Sequence, residues 1–288
     1  MKKTIITLTL LASFASQAAF VSFISDSKYN IASDDPSSET GQIVGGGEYV
    51  SNEPSNGGNE PVAPSCEGPE LTKRDLQNLI MSGGDYSKAC VSTITDFSDL
   101  FRGDVNYDIT GWDVSNGKIF ASMFSGSSFN QDISGWDVSS GTDFSFMFSD
   151  TTNFNQDISG WNMSNAQTVM NMFAGARKFN QNISAWNMSN VTHFGNMFQG
   201  TLAFNQDISA WNMSNGQNFS GMFQYSSVFD QDIGGWDVSS GIYFNNMFKA
   251  ANSFNQDISS WDVSASSSWY DFNFASSLAS ENIPAKFR

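Results

Sequence analysis

Residues 194–218 read FGNMFQGTLAFNQDISAWNMSNGQN, and the phrase returns with small changes from residue 97 to residue 268. Tryptophan stands at 112, 136, 161, 186, 211, 236 and 261, and Met-Phe pairs begin at 123, 147, 172, 197, 222 and 247. A fixed period of this size marks stacked units, none of which buries its apolar face alone. Seven such units fill 97–268.

Each unit carries two apolar signals. Phe194, Met197, Phe198 and Thr201 stand at i, i+3, i+4 and i+7, as do Val169, Met172, Phe173 and Ala176, which predicts one face of a two-turn helix. Ile208, Trp211 and Met213 follow the spacing of the L-x-x-L-x-L strand phrase of leucine-rich repeats. Between them Phe204 precedes Asn205, Gln206 and Asp207, polar residues suited to a corner whose side chains bond backbone and stack into ladders. The expected fold is a repeat solenoid like that of leucine-rich repeats, with short parallel strands and short helical turns. Strands stack about 4.8 Å apart and helices need about 8 to 10 Å, so the strands belong on the concave side and the turns on the convex side.

These phrases resemble the BspA-like leucine-rich-repeat surface proteins, whose repeats read roughly F-N-Q-D-I-S-x-W-D-V-S-N-V-T-x-M-x-x-M-F. The match runs over 129–138, 154–163, 179–188, 204–213, 229–238 and 254–263, with a weaker copy at 105–114. Two departures stand out. The Val that follows S-N in the family survives only as Val191, and is Gly117, Gly141, Ala166, Gly216, Gly241 and Ser266 elsewhere. The Met three residues before Met-Phe is Phe120, Phe144, Phe194, Phe219 and Phe244, so large rings fill volume that the small residues leave. The resemblance implies a bacterial protein of surface attachment and interaction.

Outward from the array, residues 1–18 combine Lys2 and Lys3, an apolar run and Ser16-Gln17-Ala18, the pattern of a cleaved secretory signal peptide. No cysteine near that site could receive a lipid, and no later run is long enough to span a bilayer. The expected location is therefore secreted or at the cell surface, without a lipid anchor. Residues 19–65, rich in Ser, Gly, Asn and Pro, read as a flexible tether. An N-terminal cap is expected over 66–96, around a helix opened by a Thr72-x-x-Asp75 box, with Leu76, Leu79 and Ile80 on one face and Gly83 at its end. Cys66 and Cys90, the only cysteines, flank that helix; in an exported protein a disulfide is the favoured reading, against two free thiols. Residues 269–288 carry a decayed copy with Trp269 and Phe272, then Leu278 and Ile283, and read as the C-terminal cap.

The net charge is −16, or −18 without Lys2 and Lys3, which makes nucleic acid and anionic membrane poor partners. No catalytic set emerges: His193 is the sole histidine, at a place other units fill with Ile119, Asp143, Thr168, Asn218 and Tyr243. Nothing calls for a cofactor. Asp108, Asp132, Asp157, Asp207, Asp232 and Asp257 recur at one corner and could collect calcium, but Asn182 interrupts the row, so hydrogen-bonded corners are the preferred reading and no metal site is assigned.

Alternation along the Ile-x-x-Trp-x-Val segment points one residue of each unit outward: Asp113, Asp137, Asn162, Asn187, Asn212, Asp237 and Asp262. Before each Trp stand Gly111, Gly135, Gly160, Ala185, Ala210, Gly235 and Ser260. The product is a flat stripe about 30 Å long at about 4.8 Å per strand, with amides in the middle and carboxylates at both ends. It suits a non-enzymatic binding or adhesion module that meets a protein or glycan. A structural, self-associating surface protein is the alternative; the two caps speak against end-to-end polymerisation and for a monomer.

Overall fold

A succession of β-turns forms the backbone of each unit. In the unit beginning at Phe194, the N–H groups of Met197, Gln199 and Thr201 donate to the carbonyls of Phe194, Asn196 and Phe198, three residues back. The amides between them, of Phe194, Asn196, Phe198 and Gly200, donate instead to Asn218, Ser220, Met222 and Gln224 of the next unit, at 2.8–3.0 Å. An α-helix would use those amides for its own i→i−4 bonds. Because the neighbouring unit takes them, the helical turn expected here is a flat ribbon of turns. Asn196 and Gly200 hold φ of 54° and 65°, at the third position of turns that require positive φ there. The four apolar side chains still share one face, and Phe194, Met197, Phe198 and Thr201 are all fully buried.

These observations come from a computed structural model that describes residues 66–288 apart from Arg102, all within the compact unit Gly58–Arg288. The leader read at 1–18 and the tether read at 19–65 lie outside the described residues.

Extended pairing among the described residues is limited to isolated parallel bridges, one in the cap between Glu70 and Cys90 and the rest in one column. Asp96, Ile119, Asp143, Thr168, His193, Asn218, Tyr243 and Ser268 join in single-residue parallel bridges, just before the turn ribbon. The Ile-x-x-Trp-x-Met segment, expected as the strand, makes two β-turns: Trp211 N–H donates to Ile208 O at 3.1 Å and Gly216 N–H to Met213 O at 2.8 Å. Asp207 and Asn212 side chains accept from the amides of Ser209 and Ser214, which bends the chain locally. Its apolar residues nonetheless turn inward: Ile133, Trp136 and Val138 and their counterparts are buried.

Burial of aromatic rings in columns joins unit to unit. Phe101, Phe124, Phe148, Phe173, Phe198, Phe223 and Phe248 stack with successive centroids 5.6–5.9 Å apart. Phe129, Phe154, Phe179, Phe204, Phe229 and Phe254 form a second column at 5.9–6.2 Å. Each buried Trp indole donates to a carbonyl of the preceding unit, Trp186 Nε1 to Ile158 O at 3.0 Å, so its one polar atom is satisfied where its ring is hidden. Small and large residues compensate within a unit. A Cβ on Gly117, Gly141, Gly216 or Gly241 would lie 2.3–2.4 Å from the ring tip of Phe120, Phe144, Phe219 or Phe244, whereas Ala166 faces the shorter Val169 and both are buried.

The polar corner is a ladder. Asn180 Oδ1 accepts the Asn205 N–H at 3.0 Å, Asn205 Oδ1 accepts the Asp230 N–H at 2.9 Å, and the same bond recurs from Asn130 to Asn255.

At the N-terminal end, α1 (Lys73–Met81) carries the complete Thr72/Asp75 capping box. Cys66 and Cys90 form a disulfide, and Leu71 N–H pairs with Cys90 O beside it. Tyr86 supplies the core, with its ring 4.9 Å from Tyr107 and 5.6 Å from Phe101 and its carbonyl taking the Trp112 indole. At the other end two 3₁₀ turns, Ser280–Asn282 and Ala285–Phe287, lay Phe287 against Phe244, Trp269 and Phe272. Lys286 Nζ donates to the carbonyls of Val263, Ser264 and Ser266, closing the last unit.

Candidate binding face

All seven residues of the predicted stripe, Asp113, Asp137, Asn162, Asn187, Asn212, Asp237 and Asp262, are exposed, each between a buried Trp and a buried Val or Met. In each, one side-chain oxygen accepts the N–H of the serine two residues on, from Ser115 to Ser264, at 2.9–3.1 Å. This Asx turn fixes the side chain's direction. In Asn162, Asn187 and Asn212 it leaves the Nδ2 donors facing outward, because only Oδ1 is engaged. Ser239 holds the Asp237 carboxyl below its ordinary range, against a weaker opposing push from Asp262; the Ser264 amide, helped by Lys286, does the same for Asp262. The stripe therefore presents amide donors in the middle and ionised carboxylates at its C-terminal end. The small residues before each Trp add nothing that shields it: a Cβ on Gly135, Gly160 or Gly235 would meet open space.

Beside the second to fourth units runs a shallow polar groove of about 380 Å³, lined by Ser140, Thr142, Asn165, Gln167, Asn190 and Thr192. Sequence reading missed it. Its asparagines are held by the neighbouring unit, Asn165 Nδ2 to Ser139 O and Asn190 Nδ2 to Ser164 O at 2.7 Å, a 25-residue recurrence that would have revealed it. At the N-terminal end Asp113 joins Asp108, Glu70, Lys88 and the disulfide around a cleft of about 620 Å³.

The other candidate groups have local roles. The corner carboxylates of Asp108, Asp132, Asp157, Asp207, Asp232 and Asp257 each accept the amide two residues on at 2.9–3.0 Å. Asn182 does the same with Ser184, so the break in the acidic row leaves the turn intact. The one trio of metal-ligand types among the described residues is Cys66, Glu70 and Cys90, whose sulfurs are joined to each other. His193 Nδ1 lies 2.8 Å from Thr192 Oγ1, within the bridge column. No helix among the described residues is long and apolar enough to cross a membrane.

Residues 76–186 and 167–285 match the model of the family described as Mycoplasma protein of unknown function, DUF285. The two matches together span most of the chain, and the protein belongs to that family. No curated protein and no solved structure matches it.

Proposed function

We propose that the protein is an exported, non-enzymatic attachment module of the BspA-like kind, a solenoid whose Asn and Asp stripe docks an extended protein or glycan partner. The observation that carries this reading is the row of seven exposed, turn-fixed side chains on consecutive units, with Nδ2 donors on Asn162, Asn187 and Asn212. A partner that repeats along its length gains from a receptor that repeats likewise, because each donor is fixed before binding and little side-chain entropy remains to be lost. Small neighbours let the partner approach the backbone. The groove from Ser140 to Thr192 runs beside Asp137, Asn162 and Asn187 and so overlaps the amide part of the stripe in two units, which supports a polar contact there. Secretion or surface display follows from the leader at 1–18 and agrees with the Cys66 to Cys90 disulfide. The capped ends favour a monomer over a self-associating layer.

Two triple variants of Asn162, Asn187 and Asn212 test this reading. The Asn→Lys triple replaces the short amides, with their Oδ1 turn acceptors, by long cationic side chains. The Asn→Asp triple keeps the turn, as Asp137 and Asp237 do, and replaces each Nδ2 donor with a charged acceptor oxygen. Both should remain folded by circular dichroism and lose attachment to the native surface. Attachment that persists in both folded triples would remove the stripe as the binding site.

A further inference from the structure

Three exposed rings break the repeat pattern near the C-terminal end of the turn ribbon. Tyr225, Tyr270 and Phe274 are 49%, 64% and 60% exposed. Earlier units place Gly126, Asp150, Gly175 and Gly200 where Tyr225 stands, Ala121, Ser145, Met170, Gly195, Ser220 and Asn245 where Tyr270 stands, and Ser125, Ser149, Ala174, Gln199, Gln224 and Lys249 where Phe274 stands, none of them aromatic. Tyr225 holds φ of 60°, a conformation in which a bulky residue is an outlier and glycine is at ease. Phe146, also held at positive φ, is half-buried. The Tyr225 ring stands half in water, so burial does not offset its backbone strain, and strain kept without a packing reward marks sites of function.

The three rings gather about one ion pair. Lys249 Nζ lies 2.8 Å from the Asp271 carboxylate and 5.4 Å from the centroid of Phe274, and the Tyr225 N–H donates to Lys249 O at 2.8 Å. Asp271 foremost, with Tyr225 and Tyr270 as weaker contributors, holds the ammonium above the usual lysine range. Lys249 is thus a fixed donor and Asp271 a fixed acceptor, with the exposed Phe274 ring beside them and Tyr225 and Tyr270 within electrostatic reach of the ammonium.

We propose that this cluster is a second binding site, separate from the Asn and Asp stripe, and that it takes a neutral saccharide. Flat rings meet the C–H faces of a pyranose, while Asp271 accepts from hydroxyls and Lys249 donates to them. The paired charges cancel, so the site does not select a charged ligand, and the acidic chain repels an anionic glycan. A broad protein partner fits less well, because the ion pair interrupts the apolar area that the core of such an interface needs.

The test titrates the full secreted chain and a Tyr225→Gly, Phe274→Ser double variant with soluble neutral hexasaccharides of glucose, mannose and N-acetylglucosamine by calorimetry. At least one should bind the native chain, and the double variant should lose about tenfold or more in affinity, since two stacking rings are gone. Its Tm should not fall, because glycine restores the residue found at Gly200. The Asn162, Asn187 and Asn212→Asp triple should bind the same saccharide as the native chain does, which separates this site from the stripe. The proposal is overturned if none of the hexasaccharides binds, if the double variant binds equally well, if the triple alone loses binding, or if the double variant instead abolishes self-association seen by light scattering.

Discussion

The two sides of each unit use their backbone amides in opposite ways. Along the ribbon from Phe194 to Gly200, every second amide reaches the next unit and the rings beneath stack in columns. Along the segment from Asp207 to Gly216, the main-chain amides of Ser209, Trp211, Ser214 and Gly216 close local turns, with Asp207 and Asn212 among the acceptors, while the Trp211 indole and the Asn215 side-chain amide supply the links to the preceding unit. Main-chain cohesion between units therefore resides on one side, while on the other the units are joined by side chains, the buried Trp indoles and the Asn amides. The Asn and Asp stripe lies on the locally built side, where residues can change for binding without unstacking the array.

Substitutions that cut the links between units should break the molecule first. Trp186→Ala removes a buried ring and its bond to Ile158 O, and should cost roughly 3 to 5 kcal/mol in chemical denaturation; a cost as small as that of an exposed residue would end the claim that the indoles join units. Opening the Cys66 to Cys90 disulfide by Cys90→Ser should cost about 3 kcal/mol. The loss should appear first as faster proteolysis around α1, since the disulfide ties Cys66, ahead of α1, to Cys90 behind it; unchanged proteolysis there would show that the cap holds without it.

A finer cut sharpens the contrast within the core. Gly216→Ala sets a Cβ against the Phe219 ring and the Met213 carbonyl, and should cost about 1 to 3 kcal/mol. Adding Phe219→Val rebuilds the pairing of Ala166 with Val169 and should recover part of that loss, whereas purely additive costs in the double-mutant cycle would mean the two positions do not share volume.

On the locally built side the effect is smaller and depends on pH. Hydrogen bonds from their own turns hold the carboxyls of Asp132, Asp157, Asp207 and Asp257 below the ordinary value, foremost those from Ser134, Ser159, Ser209 and Ser259. A lowered folded value means that the ionised form stabilises the fold. That contribution is complete above the unfolded carboxylate value, near pH 4, and fades as pH falls through the lowered folded values. Asp207→Asn should flatten the acid limb of a Tm-against-pH curve while preserving the neutral-pH Tm, as Asn182 keeps the same turn; an unchanged acid limb would count against these turns as its source.

Much of this contrast was legible in the sequence. The Thr72 and Asp75 box, the paired cysteines, the inward Ile, Trp and Val residues and the stacked Asn corner follow from chemistry between near neighbours or from strict recurrence. The ribbon was not legible as such, because residues at i, i+3, i+4 and i+7 share a face both in a helix and in a run of β-turns. The choice between them is made by carbonyls 24 residues away. The available signal was partial, the asparagines and glycines that stand in the two columns where left-handed backbone is needed, Asn171, Asn196, Gly221 and Asn246 among Ser122, Phe146 and Asp271 in one, and Gly126, Gly175 and Gly200 among Asp150, Tyr225, Ala250 and Ala275 in the other. Asparagine and glycine four residues apart within an apolar helical pattern indicate turns. The strand was expected at Ile208 to Met213, but the bridges fall beside polar residues such as Thr168, His193 and Asn218, whose variation hid a backbone role.

Amide hydrogen exchange, resolved residue by residue, tests the central contrast most directly. The account predicts that the Asn196, Phe198 and Gly200 amides exchange only through global opening, while those of Ser209 and Ser214 exchange much faster through local motion of their Asx turns. Equal protection on the two sides, or slower exchange at Ser209 and Ser214, would contradict it.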